Sequence, residues 1–274
     1  MEVLSKDMIE RWITPHLSKG ARGPKRTVET ADIIRAIFYR LKTGCQWRML
    51  PLREFFEGRK ISWNGVYYHH HQWVSDGSWR RVWVSLLKGN KHLLDLSSMQ
   101  LDGSQTPAKK QGENISYQRR RKARTTNALF LSDNRGQPIA MAAPQAGNHN
   151  DLYEVETLFS QMCELMKEAE INLDGVFMNA DAGFDAESLR RACSERNIEA
   201  NIDQNPRNTT GKDGYLYFDE ELYKRRYVIE QTNAWIDGFK ALLVRYEGKV
   251  KTWMQQHFMA FAILLLRKLL IVKP

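Results

Sequence analysis

Cysteine is scarce in this 274-residue chain, and long apolar runs and an excess of negative charge are absent. The three cysteines are widely spaced and form neither a CxxC pair nor a zinc-ligand pattern, so no disulfide framework is implied. The N-terminal residues lack the apolar core of a signal peptide. Residues 258–272 are the most apolar stretch, but Arg267 and Lys268 interrupt them, which predicts a buried helix and no membrane span. We therefore expect a soluble, reduced, cytoplasmic protein without a membrane partner.

The charge balance is strongly basic. The chain has 41 Lys and Arg residues against 32 Asp and Glu residues, a formal net charge of +9 and a sequence pI of about 9.4. Such an excess favours a polyanionic partner, usually nucleic acid, although a basic protein can also lack one. A hydrophobic content of 42% can fill a core, and a charged content of 27% argues against wholesale disorder.

Three carboxylates stand where metal-dependent phosphoryl chemistry would need them. Asp102 ends an alternating stretch and Asp181 ends an apolar run, each with a glycine close behind, while Glu230 lies in a basic amphipathic helix. Acidic residues from two strand ends and one helix can converge on one point. Three convergent carboxylates can hold two hard divalent cations, which clamp the attacking and leaving oxygens of an in-line displacement. Any one of them alone is better explained as a turn residue or a salt-bridge partner, but three of them in a strongly basic protein weaken that interpretation.

The pattern of the chain changes near residue 92, which predicts two domains, residues 1–91 and 92–274. The first has short helices with tight turns and fits a helix-turn-helix type of DNA-binding domain, although a plain helical bundle fits nearly as well. Its basic loop, residues 18–26, offers Lys25 and Arg26 as phosphate contacts. A solvated surface loop is an equally good interpretation.

The second part alternates strands and helices, which predicts an α/β fold with a mixed sheet. The predicted elements are a strand at 94–102, a hairpin of strands at 127–132 and 137–142, a helix at 150–170, a strand at 174–181, a helix at 186–196, a strand at 198–202 and a long helix from Asp219. This order is that of a ribonuclease-H-like fold, in which the first and fourth strands lie side by side. Asp102 and Asp181 would then be neighbours, with Glu230 brought over them by the last helix.

Several of these segments resemble a known family, the bacterial DDE transposases of the insertion-sequence-five group. The resemblance runs through nearly the whole chain. It rests on residues 43–51 and 76–79 in the first part, on residues 101–109 and 180–185 around the two aspartates, and on a Tyr-x₂-Arg-x₃-Glu signature filled by Tyr223, Arg226 and Glu230. The fuller signature has a lysine seven residues after the glutamate, where this chain has Asp237, with Lys240 one helical turn away.

The resemblance implies a concrete activity and a set of partners. Asp102, Asp181 and Glu230 would be catalytic and would bind two Mg²⁺ ions, for which Mn²⁺ can substitute. The substrates would be double-stranded DNA, first at transposon ends and then at a target attacked by the freed 3′-hydroxyl. We expect a bacterial, nucleoid-associated protein that works on DNA as a homodimer or higher oligomer. A nuclease without strand transfer and a catalytically silent DNA-binding descendant are the alternatives.

Basic and aromatic residues near the three acids are candidate DNA contacts. Tyr223 and Tyr227 share a predicted helical face with Glu230 and could stack on a distorted base. Arg226 is either an ion-pair partner of Glu230 or a phosphate clamp. The densest basic run contains Arg119, Arg120, Arg121 and Lys122. A run of this kind is usually a solvated surface, but beside a nuclease centre we expect contact with the DNA backbone.

Overall fold

A computed structural model describes residues 3–19, 28–56, 58, 61–205 and 217–271 of the chain. Its helices are α1 (Lys6–Trp12), α2 (Thr30–Thr43), α3 (Arg53–Phe56), α4 (Trp63–Ser75), α5 (Ser78–Gly89), α6 (Val155–Glu168), α7 (Glu187–Ser194), α8 (Glu220–Tyr223), α9 (Val228–Asp237), α10 (Lys240–Leu243) and α11 (Val250–Ile271). Its strands are β1 (Ser98–Pro107), β2 (Ser116–Gln118), β3 (Ala123–Asp133), β4 (Pro138–Met141), β5 (Gln145–Ala146), β6 (Phe177–Ala180) and β7 (Glu199–Ile202).

The chain forms two compact units. Residues 1–89 and 236–274 make up what we call the helical unit, and residues 90–235 make up the sheet unit. This division differs from the expected one, because residues 236–274 join the N-terminal helices although they follow the sheet in sequence. The apolar face of α11 explains the difference, since it is buried against α5 and α4.

The helical unit is built around aromatic side chains. Trp73, Trp79, Trp83 and Trp253 are all fully buried, and Trp83 packs edge-on against Phe261 of α11 with ring centroids 5.6 Å apart. The 3.6-residue spacing of apolar residues in α2 places them on the buried side, and Gly44 ends that helix in the left-handed conformation at φ 70°. The prediction of a buried helix over residues 258–272 is confirmed for Phe258 through Leu266, apart from the partly exposed Leu264. Within the described ranges, no helix combines the length and apolarity that a bilayer span requires.

The sheet unit contains a seven-stranded mixed sheet in the order β2-β3-β1-β6-β7. Strand β1 pairs antiparallel with β3 and parallel with β6, and β6 pairs parallel with β7. The short strands β2, β5 and β4 pair with successive parts of β3, in that order along it. The predicted ribonuclease-H-like arrangement is confirmed, because the first and fourth predicted strands, β1 and β6, are neighbours at the centre of the sheet.

Several predicted element boundaries are wrong, and three of them bear on the candidate site. Asp102 lies inside β1, opposite Phe130, because residues 103–107 continue the ladder with β3 although they lack an alternating pattern. The helix predicted from residue 150 begins only at Val155, after Glu154 in the left-handed conformation. The predicted long helix is broken, because a 3₁₀ segment at Lys224–Tyr227 separates α8 from α9 and Phe239 is extended after α9.

Candidate active site

The first two carboxylates occupy corresponding positions on neighbouring parallel strands. Gln100 of β1 lies opposite Asn179 of β6, and Asp102 and Asp181 each follow two residues later in the chain. Because side chains alternate along a strand, residues two apart face the same side of the sheet. Asp181 follows the last residue of β6, and its side chain accepts a hydrogen bond from the amide of Gly183 at 2.8 Å.

The carboxyl group of Asp102 is largely buried, and its pKa is raised. Burial raises its pKa to about 6, the amide of Gly103 opposes this by donating a hydrogen bond, and the negative charges of Glu230, Asp151 and Asp181 raise the pKa further. The side chain also accepts a hydrogen bond from Asn233 Nδ2 at 3.1 Å. Both other predicted acids therefore act on Asp102.

Glu230 lies in the first turn of α9 and is exposed. The helix is held by the β3–β4 turn, where Thr232 Oγ1 donates a 2.8 Å hydrogen bond to the carbonyl of Gly136. Gly136 has φ 77°, and a Cβ there would lie 3.0 Å from a methyl carbon of Val228. The turn must therefore remain free of a side chain for α9 to lie against it. Asn233, one turn after Glu230, makes the direct contact of this helix with Asp102.

The acids are close enough to influence one another, but they are not at ligating distance. Across the described ranges, no group of three or more His, Cys, Asp or Glu side chains is arranged to hold a metal ion. The donor chemistry nevertheless suits a hard divalent cation, because carboxylate oxygens are its preferred ligands and it would relieve the repulsion that raises the pKa of Asp102. Convergence of the three acids on bound ions stays a prediction.

The segment after Asp181 is fixed by an arginine. Arg190 Nε donates to Asp185 Oδ1 at 2.9 Å, and its Nη2 donates to the carbonyl of Ile202 at 2.8 Å. The other carboxylate oxygen of Asp185 accepts from the amide of Asn205. This arginine ties the loop behind the second acid to the end of β7.

Sequence reasoning missed Asp151, a fourth acid beside Asp102. Its Oδ1 accepts a 2.7 Å hydrogen bond from Asn127 of β3, and a Cβ built on Gly103 would lie only 2.2 Å from the same oxygen. Glycine is therefore the only residue type that fits at position 103 while the Asp151 side chain stays where it is. The sequence pattern indicated that Asp151 begins a helix. Only the late start of α6 shows that its side chain is free to face β1 and β3.

The four consecutive basic residues Arg119, Arg120, Arg121 and Lys122, which we call the basic turn, connect β2 to β3 and are exposed. Two of them line a groove of about 470 Å³ that extends to the site of the first acid. Its lining consists of Gly103, Gln105, Gln118, Arg120, Arg121, His149, Asn150 and Asp151. Arg120 and Arg121 thus line the same groove as Gly103, the residue after Asp102, and their contact with DNA stays a prediction. The other predicted contacts of this kind, Lys25 and Arg26, lie outside the described residues.

Two residues of the Tyr-x₂-Arg-x₃-Glu signature, Tyr223 and Arg226, have side chains that pack against each other. The guanidinium of Arg226 lies 5.8 Å from the ring centroid of Tyr223. Burial raises the pKa of Tyr223, Arg226 opposes this shift, and the negative charges of Asp203 and Asp181 add to it. The prediction of one continuous helical face from Tyr223 through Tyr227 to Glu230 is wrong, because the 3₁₀ segment changes the angular spacing.

Comparison with known families decides what kind of chain this is. Residues 89–265 match the family described as "Transposase DDE domain", and residues 7–83 match a family described as "Putative transposase of IS4/5 family". The first match alone covers more than half of the chain. The chain belongs to the DDE transposase family.

Individual relatives of this chain match it either over a short stretch or at low sequence identity. A 70-residue stretch is 40% identical to the "Putative transposase for insertion sequence element IS402" of Burkholderia cepacia, and it covers 26% of this chain and 29% of that relative. The chain thus aligns with less than a third of the length of this curated relative. The solved Mos1 transpososome in its pre-cleavage state aligns over 90% of this chain and 80% of its own, at 13% identity and a TM-score of 0.29. A Mos1 paired-end complex with Mn aligns over 94% and 85%, at 12% identity and a TM-score of 0.30.

The signature position that is a lysine in the family is Asp237 here, and Lys240 lies after a break in the helix rather than one turn further along it. Asp237 is the last residue of α9, and burial raises its pKa. Lys240 begins α10 in the helical unit, where its backbone and Cβ lie about 3.1 Å from the place a Cβ of Gly44 would take. Gly44 therefore allows the close packing of α10 against α2.

Proposed function

We propose that this chain is an insertion-sequence transposase that cuts DNA at the ends of its element and joins the freed 3′-hydroxyl to target DNA. One observation carries the proposal. In a chain of the DDE family, Asp102 and Asp181 each follow by two residues the paired Gln100 and Asn179 of neighbouring parallel strands, and Asn233 of the helix that carries Glu230 donates to Asp102. The assignment of these three residues as the catalytic acids rests on that arrangement.

Asp102, Asp181 and Glu230 are the residues that would hold two Mg²⁺ ions, with Mn²⁺ as a substitute. Such ions would make the attacking oxygen more nucleophilic and would stabilise the negative charge that develops on the leaving oxygen. The protein's part is to bring the acids to one place. Asn233 and the amide of Gly103 hold the Asp102 carboxylate by hydrogen bonds from two sides.

The groove beside Asp102 is the proposed track for a DNA strand. It has arginine on one wall and reaches Gly103, the residue after the first acid. A strand lying there would have its phosphates near the basic turn and a phosphodiester near Asp102. Tyr223 and Arg226 would contact DNA on the Asp181 side, and Lys25 and Arg26 from the N-terminal part.

The N-terminal residues 1–91 are proposed to recognise the transposon ends, and two or more copies of the chain are proposed to act together on a pair of ends. This arrangement would leave the chemistry to residues from 92 onward. End preference should then follow the N-terminal part. Exchanging residues 1–91 for those of a related transposase should change which end sequence the full chain prefers.

The test is cleavage and strand transfer on DNA duplexes that carry the element's end sequence, in Mg²⁺ and in Mn²⁺. Asp102→Asn, Asp181→Asn and Glu230→Gln should each abolish both reactions and leave DNA affinity within about threefold, because other residues hold the DNA. Asp174→Asn, on an exposed loop, is the control. A triad variant that nicks at the wild-type rate contradicts the site. Cleavage without joined products would identify a nuclease, and binding without cleavage a silent descendant.

A further inference from the structure

Three amide side chains form a buried row across the middle of the sheet. Gln100 of β1, Asn179 of β6 and Asn201 of β7 lie opposite one another in the strand register, and all three are at most 1% exposed. Asn179 Nδ2 donates to Gln100 Oε1 at 2.9 Å, and Asn201 Nδ2 donates to Asn179 Oδ1 at 2.7 Å. We call these three residues the amide row. It lies two residues before each of the first two acids, on the same face of the sheet.

One end of the amide row holds the start of α8. Asn201 binds the backbone of Asp219 twice, since its Oδ1 accepts from the amide at 2.8 Å and its Nδ2 donates to the carbonyl at 2.9 Å. Asn179 donates a second hydrogen bond, to the carbonyl of Leu222 at 3.0 Å. Asp219 in turn caps α8 by accepting from the amide of Leu222. The first turn of α8 is thus attached to the sheet through side-chain amides.

The other end of the row reaches the turn on which α9 lies. Gln100 Nε2 donates to Ser98 Oγ at 2.9 Å, and Ser98 Oγ donates to Asn134 Oδ1 at 3.0 Å. Asn134 belongs to the β3–β4 turn, and two residues later the carbonyl of Gly136 accepts from Thr232 of α9. The two attachment points of residues 219–233 are therefore joined by a chain of hydrogen bonds from Asn201 to Asn134 and by the short backbone segment from Asn134 to Gly136.

We propose that the amide row positions the third acid: Gln100, Asn179 and Asn201 set the placement of residues 219–233, and with them Glu230, relative to Asp102 and Asp181. The inference rests on the proposed function for its catalytic meaning. Two physical arguments support it. Amide groups buried in this way lose their water, so they persist only where their hydrogen bonds are nearly complete. Such bonds are directional, so they fix where residues 219–233 lie far more sharply than apolar contact would.

The row contains positioning residues and no catalytic ones, since none of them reaches the groove or replaces a carboxylate. Polar groups that orient metal ligands from behind typically change metal affinity or activity by about 10–100-fold when they are removed. Asn179→Leu and Asn201→Leu keep a similar side-chain volume and remove the amide. We therefore expect each variant to cleave saturating DNA about 10–100-fold more slowly than the wild type. DNA affinity should change by less than about threefold, because the DNA contacts are elsewhere.

Hydrogen exchange supplies a measurement that does not depend on catalysis. In the wild type, the amides of residues 219–234 should be protected, and the leucine variants should lose at least about tenfold of that protection while β1 and β6 keep theirs. Ile202→Val and Ile202→Ala are the matched controls. Ile202 is buried next to Asn201 on β7 but faces the opposite side of the sheet. A control variant that lowers the thermal midpoint as much as a leucine variant does should still have exchange protection and a cleavage rate within about threefold of the wild-type values.

Two further variants keep the outcome decisive. Ser98→Ala removes the hydroxyl that links Gln100 to Asn134 and changes the side-chain volume little. It should show a weaker form of the same two effects, and it replaces the leucine variants as the test if those do not fold. The double variant Asn179→Leu with Asn201→Leu should be no slower than the worse single variant, because both residues act through one network.

Folded row variants that match the Ile202 controls in exchange and in cleavage would overturn the proposal. Additive losses in the double variant would overturn it as well. If the wild-type chain does not cut DNA at all, the proposed function fails. The exchange comparison would then still decide whether the row places residues 219–233.

Discussion

The interiors of the two units differ in how many polar side chains they bury. The helical unit buries four tryptophans and many aliphatic side chains, so its stability comes mainly from apolar packing, which has little directional preference. The sheet unit buries a series of amides, hydroxyls and carboxyl groups around β1, β3 and β6. Burying these polar groups costs desolvation free energy, but the directional hydrogen bonds between them fix the positions of the strands and helices that carry them. The difference shows that the part carrying the proposed chemistry gives up some stability for precise placement.

Acid should weaken the helical unit most. Burial lowers the pKa of His70 to about 3, helped by the charges of Arg40 and His71, and burial lowers the pKa of His257 to about 4, where Arg245 acts in the same direction. The unfolded chain binds these protons near pH 6.5 and the folded chain does not. Stability is therefore full above about pH 6.5 and falls as the pH drops toward the folded values, by about 2 kcal/mol per histidine at pH 5.

Urea unfolding at pH 7 and pH 5 measures this loss. His257→Gln should be less stable than the wild type at pH 7 but should lose less between the two pH values. An unchanged pH dependence in that variant would show that His257 is not the group responsible. His16, which is exposed, provides the control substitution His16→Gln.

Gly103→Ala should cost the sheet unit about 3 kcal/mol, the upper end of the range for overpacking. The new Cβ would lie 2.2 Å from one carboxylate oxygen of Asp151 and 2.5 Å from its carboxyl carbon, so Asp151 must move. Thermal unfolding measures the loss, and Asp151→Gly in the same chain should restore most of it. Gly89→Ala, which meets no atom within 4 Å, is the matched control and should change stability by less than about 0.5 kcal/mol. Equal effects at both glycines would contradict the tight fit.

Asp102→Asn should raise stability at pH 7 without divalent ions, by about 2 kcal/mol. The pKa of Asp102 is raised in the folded state to about 6, chiefly by burial, so the folded chain holds that proton more tightly than the unfolded chain. Wild-type stability from this group therefore increases as pH falls from above 6 toward 4, opposite in sign to the histidines. The advantage of the variant should shrink by pH 5. A variant less stable than the wild type at both pH values would contradict the electrostatic interpretation of the site.

The basic turn should affect stability least. Replacing Arg119, Arg120, Arg121 and Lys122 with alanine should change the free energy of unfolding by less than about 0.5 kcal/mol, because all four are exposed. The same variant should bind duplex DNA more weakly, and the slope of log affinity against log salt should flatten by roughly 0.9 for each phosphate that the protein no longer neutralises. A salt slope identical to that of the wild type would remove the basic turn from the DNA interface.

The sequence predicted the parts of the fold that repeat with a regular period. Apolar spacing located α2 and the core of α11, and the order of strands and helices placed β1 beside β6 and hence Asp102 near Asp181. It failed where tertiary packing decides. The amide row was missed because Gln100, Asn179 and Asn201 look like surface residues, and Gln100 is 79 residues from its partner Asn179. Periodicity also gives no indication of which compact unit an apolar helix joins, so the grouping of residues 236–274 with the N-terminal helices was not predicted.

The division of the helical unit between two stretches of chain has a consequence during synthesis. Residues 90–235 leave the ribosome as one uninterrupted stretch and can fold as soon as they emerge. The N-terminal helices have to wait for α11, which follows the entire sheet unit in the chain. At about 5–20 residues per second, the wait between Gly89 and the first residues of α11 is on the order of 10–30 s. Throughout that interval the side of α5 that packs against α11 lacks that partner, and we expect a chaperone that binds exposed aromatic helices to recognise it.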